Sequence, residues 1–377
     1  MLKYVLLFAL MGLCLSLPAV GKLQKHSLRL HRYLPRENDR SHRYDNDIFI
    51  LGLIMAVGSG QGQTPEFQLD LTKGDLEVRV CVDGEAPDPG VRPNECYNPV
   101  WSTSFKRVNS ILGVDTFHAA SILADVYNFT VPNMTFIGTN KTLSDVELPS
   151  GSTGSIGLGW PGLAKYPETF FPYKYMYSAT PNHRNLMFIV LSEDGCSAYN
   201  GFGQACTSID DTAQPYFVPA TSQSYWQFAL HGFKYGTVTE PLKAQAVISS
   251  TKGFIGMPKK ILQKMMNAYG IKYDGLYSAY TVDCGTVSAL PNLEFMVDGK
   301  TLVIESKIYV YTYKPLMNGR CVVYFEDSKE FGFGPEYYFG LPLMQSYCTE
   351  FDYDKKRIGF SKSSIDCGAT CNCSHDD

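Results

Sequence analysis

The chain has 377 residues, 45% of them hydrophobic and 19% charged, which excludes a disordered or fibrous protein and leaves material for two domains or one large bilobal unit. A formal charge of −4 argues against a nucleic-acid binder held by phosphate contacts. The 25 Tyr, 22 Phe, 33 Gly and 21 Pro favour strands and turns over a helical bundle.

Residues 1–18 have the layout of a secretory signal peptide: Lys3, an apolar run from Tyr4 to Leu17, then small residues at Ala19 and Gly21. The run is short of the ~20 residues that span a bilayer, so no membrane anchor is expected. A secreted, most simply extracellular, protein follows, with a lysosomal destination as the variant. Residues 19–46 form a basic segment; between Lys22 and Asp45 seven Lys/Arg stand against three acids. The remainder from residue 46 carries −9, so the segment is attracted to the body electrostatically. It is expected to lie as a prosegment over an acidic cleft, or to be a solvated basic linker.

Ile48–Val57 is a short apolar run ending in a Gly-rich stretch and predicts a buried strand. Phe67-Gln68-Leu69-Asp70 then alternates as a strand and enters a Thr72-Lys73-Gly74 turn. Ala246-Val247-Ile248-Ser249 does the same before Thr251-Lys252-Gly253, which puts Asp70 and Ser249 in equivalent places. Ser155-Ile156-Gly157 follows the first by 87 residues and Tyr338-Phe339-Gly340 the second by 91. Two motifs in the same order at nearly the same interval indicate an internal duplication, too long in period for a solenoid. Further strands are predicted at Leu186–Leu191, Tyr225–Phe233, Leu293–Val297, Leu302–Ile304, Lys307–Thr312, Cys321–Phe325 and Arg357–Phe360. The clearest helix is Pro258–Tyr269, with apolar residues on a helical period after a Pro start. The class is all-β with minor helix.

Asn128, Asn133 and Asn140 each open an Asn-x-Thr sequon, which predicts a glycosylated patch on a secreted chain. Ten cysteines remain without Cys14, an even number suited to an oxidising compartment. Gly157 to Gly162 fits a dinucleotide-binding pattern but lacks βαβ periodicity, and Pro161 interrupts the helix start. The histidines outside the basic segment are scattered. Neither a cofactor nor a metal is expected.

Five stretches, in order, resemble the pepsin-like aspartic proteases. They are Tyr97 to Lys106, Ser155 to Pro161, Ala220 to Phe228, Asp283 to Phe295 and Phe351 to Phe360. The resemblance implies a bilobal β fold, with an N-terminal lobe over 47–225, a C-terminal lobe over 226–366 and a Cys-rich tail at 367–377. It implies disulfides Cys81–Cys96 and Cys284–Cys321. Cys196–Cys206 is a reasonable third pair, which leaves Cys348, Cys367, Cys371 and Cys373 with three open connectivities.

The family hydrolyses peptide bonds with one aspartate per lobe, each normally in Asp-Thr/Ser-Gly, the pair sharing a proton so that one is base and the other acid. Here the first motif is Asp70-Leu71-Thr72 and the second Ser249-Ser250-Thr251. The first carboxylate is kept and the second is replaced by a hydroxyl that does not titrate in the relevant range. No acid lies between Glu240 and Asp274 to substitute for it; in the first lobe Asp75 or Asp83 would be the alternatives to Asp70. The family's cleft-covering hairpin, which carries a Tyr, would fall near Leu112-Gly113, where there is no Tyr and where Phe117 or His118 would have to serve.

The expectation is therefore a secreted pepsin-like homologue that has lost peptide hydrolysis and binds an extended peptide or a protein in its cleft, as a monomer. The alternatives are an active acidic endopeptidase with an atypical site, and a secreted glycosylated interaction protein without a working cleft.

Overall fold

The computed structural model describes residues 26–32, 49–58, 63–81, 96–119, 129–139, 153–179, 184–193, 198–208, 210–313, 315–328 and 334–363. The first half supplies β1 (His26–Arg32), β2 (Phe49–Val57), β3 (Glu66–Asp70), β4 (Leu76–Arg79), β5 (Lys106–Arg107), β6 (Leu112–Ala119), β7 (Phe129–Thr139), β8 (Gly154–Gly157), helix α1 (Phe171–Ala179), β9 (Leu186–Leu191), β10 (Ala198–Phe202) and β11 (Tyr216–Pro219). The second supplies β12 (Gln227–Tyr235), β13 (Val238–Ile248), β14 (Ile255–Met257), α2 (Lys259–Tyr269), β15 (Lys272–Asp274), β16 (Ala279–Asp283), β17 (Leu293–Val297), β18 (Lys300–Ile304), α3 (Ser306–Tyr309) and β19 (Val310–Tyr311). It closes with β20 (Arg320–Val323), β21 (Phe325–Asp327), β22 (Tyr337–Phe339), α4 (Leu341–Ser346), β23 (Tyr347–Asp352) and β24 (Arg357–Lys362).

The duplication is visible in strand order. β3 pairs β8 in parallel, β8 pairs β4 antiparallel and β4 pairs β7 in parallel. The second half repeats this with β13, β22, β14 and β21, again parallel, antiparallel, parallel. The crossing strand β8 ends on Gly157 and β22 is followed at once by Gly340, for a steric reason. A Cβ on Gly157 would lie 2.5 Å from the Gly74 carbonyl carbon, and one on Gly340 only 2.2 Å from the Lys252 oxygen. Gly157 N–H donates to the Asp75 carbonyl (2.8 Å) and Gly340 N–H to that of Phe254 (3.0 Å). Each crossing strand thus passes against the turn that follows Asp70 or Ser249, and only a residue without a side chain fits there.

The halves are joined by a sheet in the order β11-β24-β23-β9-β10-β1-β2, where β23 from the second half pairs β9 from the first. Trp226 packs against Trp160 with ring centroids 4.5 Å apart and lies against Phe351 and Tyr353. The Leu158 carbonyl accepts from both Trp226 Nε1 and the Tyr353 hydroxyl, each at 2.8 Å. Leu69, Leu71, Ile156 and Leu158 share one buried apolar core with Ile248, Phe339 and Leu341.

Part of the basic segment is a sheet strand. β1 pairs β10 through His26–Leu28 and β2 through Arg29–Arg32. Lys307–Thr312, expected as a strand, starts as α3 and becomes β19 only at Val310. A short apolar run does not by itself distinguish strand from buried helix. Helix α4 was not signalled for a related reason: it is buried at every position and has no polar face to set a helical period.

Cys81–Cys96 and Cys284–Cys321 are disulfides. The Cys196–Cys206 pairing is corrected: Cys206 is bonded to Cys348, 142 residues away, because β23 runs beside β9 and brings Cys348 to the turn after β10. Cys196 lies outside the described residues, as do Asn128 and Asn140; Asn133 is an exposed residue of β7.

Beside that bridge, Glu350 is 1% exposed and accepts the Cys206 N–H at 2.7 Å. Burial pushes its carboxyl above the ordinary range and Asp352 adds to this; the Cys206 N–H, Arg184 and Arg357 pull the other way. A raised folded pKa means the native state holds the extra proton. Its stability contribution is complete below the ordinary carboxylate pKa of ~4.3 and is lost as pH rises through the raised value. Glu350→Gln is expected to raise the melting temperature at pH 7 and leave it nearly unchanged at pH 4. Equal shifts at both pH values in thermal melts would contradict this.

Candidate active-site cleft

Asp70 ends β3 and is 5% exposed; Ser249 directly follows β13 and is 4% exposed. Each is fixed by the Thr two residues on. Asp70 Oδ1 accepts from Thr72 N–H at 2.8 Å and from Thr72 Oγ1 at 2.6 Å. Ser249 Oγ accepts from Thr251 N–H at 3.4 Å and shares a hydrogen bond with Thr251 Oγ1 at 3.1 Å. Thr72, where the family has Gly, therefore ties down the carboxylate as well as adding bulk to the turn.

The two turns touch directly. Ser250 Oγ donates to the Leu69 carbonyl at 2.7 Å and accepts from Leu71 N–H at 3.0 Å. Asp70 and Ser249 each stand one residue before an end of this bridge. Leu71 has no hydroxyl to return the contact and turns into the core instead, fully buried. Half of a symmetric lobe-to-lobe clasp is present. Ser250 was not among the site residues expected from the sequence, although the resemblance implies that the hydroxyl at the second position of the motif ties the lobes together.

Ser250 is itself fully buried. Ser250→Ala leaves a buried N–H and a buried carbonyl without this partner, at roughly 1–3 kcal/mol for such a group. A lower melting temperature is expected for Ser250→Ala, with recovery in Ser250→Thr. Identical melts for wild type and Ser250→Ala would contradict the bridge.

Asp75 is not an alternative to Asp70. Its carboxylate accepts from Lys165 N–H at 3.0 Å, Tyr166 N–H at 3.3 Å and Thr169 Oγ1 at 2.6 Å, and so fastens the loop after β8. Asp83 lies outside the described residues. On the second lobe Glu240 is engaged by Lys264.

The hairpin before β6 is short. β5 contributes only Lys106 and Arg107, paired with Val114 and Gly113, an arm of about 7 Å at ~3.4 Å per residue. Its turn is held by Asn109 Oδ1, which accepts from Ile111 and Leu112 N–H, and by Gly138 N–H donating to the Ile111 carbonyl at 2.8 Å. The hairpin is thereby tied to β7. Phe117 does not cover the cleft: it is fully buried between Phe67 and Phe136, with centroids 5.9 and 6.0 Å away. The His118 side chain lies outside the described residues.

Among the described residues no group of three or more His, Cys, Asp or Glu is placed to hold a metal ion, and no helix is long and apolar enough to cross a membrane.

A family model described as eukaryotic aspartyl protease matches residues 64–363. Similar curated proteins include Aspartic protease 1 of Caenorhabditis elegans, 28% identical over 63% of this chain and 61% of the relative. Aspartic protease 10 of the same nematode is 28% identical over 68% of this chain and 58% of its own. Gastricsin of Callithrix jacchus is 23% identical over 68% and 64% respectively. The matched region thus spans 58–64% of the length of these relatives.

Proposed function

Since the chain belongs to the eukaryotic aspartyl protease family, we propose that it is a non-hydrolysing member that binds extended peptide or protein segments in its cleft. The observation that carries this reading is the single carboxylate: Asp70 on one turn, Ser249 on the turn hydrogen-bonded to it. Dyad chemistry needs one carboxylate to take a proton from water while its protonated partner polarises the carbonyl. A serine hydroxyl has no accessible charge change with which to take the second part, so Asp70 is left able to hold a water or a peptide N–H without a partner to pass a proton to.

The short, tied-down hairpin supports the same reading. Hydrolytic sites gain from closure that excludes water and holds the substrate. A seven-ångström arm anchored to β7 is poorly suited to that task. Strand-like recognition of a peptide needs backbone hydrogen bonds and side-chain pockets, neither of which depends on a second carboxylate. The three disulfides among the described residues fit passage through an oxidising compartment and support a secreted protein; the sequons at Asn128, Asn133 and Asn140 are its proposed glycan sites.

The test is retention of a defined library of extended peptides by the immobilised protein at pH 4 and pH 7, with mass spectrometry of what elutes. Peptides retained and recovered at full length are the expected result. Elution as fragments would favour the atypical protease, and no retention at either pH would favour an interaction protein without a working cleft.

A further inference from the structure

We propose that the open edge of β5 and the cavity beside it form a second docking site, which takes an acidic, extended segment of a partner protein as an added strand.

The first ground is the edge itself. β5 is the last strand of its sheet, and among the described residues only β6 pairs with it. Val108 N–H donates to the Leu112 carbonyl at 2.9 Å, and Lys106 and Arg107 oppose Val114 and Gly113 in the same register. The backbone groups of successive strand residues alternate in direction, so Arg107 N–H and C=O point away from β6 into the open edge. The turn that follows is already fixed by Asn109 Oδ1, so adding a strand costs little further ordering.

The second ground is the cavity. About 300 Å³ of space lies beside Phe105 and Arg107, walled by Val80, Pro99, Phe136 and Thr139. A Cβ on Gly113 would lie 2.8 Å from the Phe105 ring, so that ring lies across β6 only because Gly113 has no side chain. Val100, Trp101, Val108 and Ile111, each in the lining or next to a lining residue in sequence, are 87, 48, 57 and 40% exposed. The site shares no residue with the turns at 70–72 and 249–251.

The third ground is charge, which selects the occupant. Lys106 and Arg107 are exposed, and neither has an ion pair among the described residues. No Asp or Glu lines the cavity. Cations on an edge strand guard against pairing with a like strand, and a two-fold contact between copies would set these cations against their own counterparts. The same charges favour a segment carrying Asp or Glu. An extended segment sends alternate side chains to opposite faces, so acids can reach the cations while an apolar residue enters the cavity.

The test uses the full chain and a fluorescent peptide, Glu-Val-Glu-Phe-Glu-Val-Glu, with the Lys-for-Glu peptide as control. Binding is read by anisotropy at pH 7, and the contact by photocrosslinking from a benzophenone in place of the Phe ring. The acidic peptide is expected to bind and the basic one not. Arg107→Gln should weaken binding ~2–5-fold, as for a rim ion pair. Arg107→Pro should weaken it a further ~3–10-fold, because it also removes the N–H offered to the added strand. Crosslinks are expected within residues 99–113 and 136–139. Both variants should melt with wild type; a lower melt in Arg107→Pro alone would place that N–H in the β5–β6 ladder and overturn the edge assignment. No binding of the acidic peptide, equal affinity in wild type and Arg107→Pro, or crosslinks confined to 70–72 and 249–251 would overturn the proposal. So would a wild-type dimer that Arg107→Pro dissociates, which would assign the edge to a second copy.

Discussion

Combining Ser249→Asp with Leu71→Thr, Thr72→Gly and Thr251→Gly is expected to produce acid-pH endopeptidase activity that Ser249→Asp alone barely supplies. The single change restores a second carboxylate, but Thr251 still sits beside it and Thr72 still holds Asp70 Oδ1 with two hydrogen bonds. Thr72→Gly and Thr251→Gly free the turns. Leu71→Thr supplies the hydroxyl missing from the clasp. By the symmetry of the Ser250 contacts it would donate to the Ile248 carbonyl and accept from Ser250 N–H. A positioned acid or base contributes ~10²–10⁴-fold, and groups that act as a unit lose most of that when one is out of place. We expect at most ~10-fold over background from Ser249→Asp and a further ~10²-fold or less from the quadruple change, with the short hairpin setting the ceiling. Equal activity in the single and quadruple variants would show that turn geometry is not limiting.

The second large effect is expected from the Cys206–Cys348 bridge. It closes a 142-residue separation and ties the turn after β10 to β23 of the second half. In the chain-entropy picture a loop of that size gives roughly 5 kcal/mol, against about 4 kcal/mol for Cys284–Cys321 at a separation of 37. Cys206→Ser with Cys348→Ser should lower the melting temperature by roughly 5–12 °C, more than the equivalent double change at Cys284 and Cys321. Peptide mapping without reduction should recover Cys206 linked to Cys348. Recovery of Cys206 linked to Cys196, or the opposite order of melting temperatures, would contradict the assignment.

The two-fold repeat was legible because it is local in sequence. The shared Thr-Lys-Gly turn fixed the correspondence of Asp70 with Ser249, and the two crossing strands followed from Gly157 and Gly340, where backbone contact admits no side chain. Features that depend on distant partners were not legible. Cys348 meets Cys206 only because β23 joins β9 across the sheet, and no spacing rule reaches over 142 residues. Helix α4 shows no period because all its residues are buried. The basic segment was readable as charge, whereas the place of β1 between β10 and β2 is set by pairing to residues up to 174 positions away, as His26 with Asn200. At the site, the motif shows Ser249 at the position that corresponds to Asp70 and no hydroxyl at Leu71, but the Ser250 contacts and the tethering of Asp70 by Thr72 needed the fold.

The central claim is that one carboxylate does not suffice for hydrolysis. The direct measurement is digestion of a peptide library between pH 3 and 5 by the wild-type protein, with Asp70→Asn in parallel and residues 22–45 both intact and removed. No turnover above background is expected from any of these proteins, and Asp70→Asn should be indistinguishable from wild type. Clear wild-type cleavage abolished by Asp70→Asn would contradict the claim and identify the protein as an atypical aspartic endopeptidase.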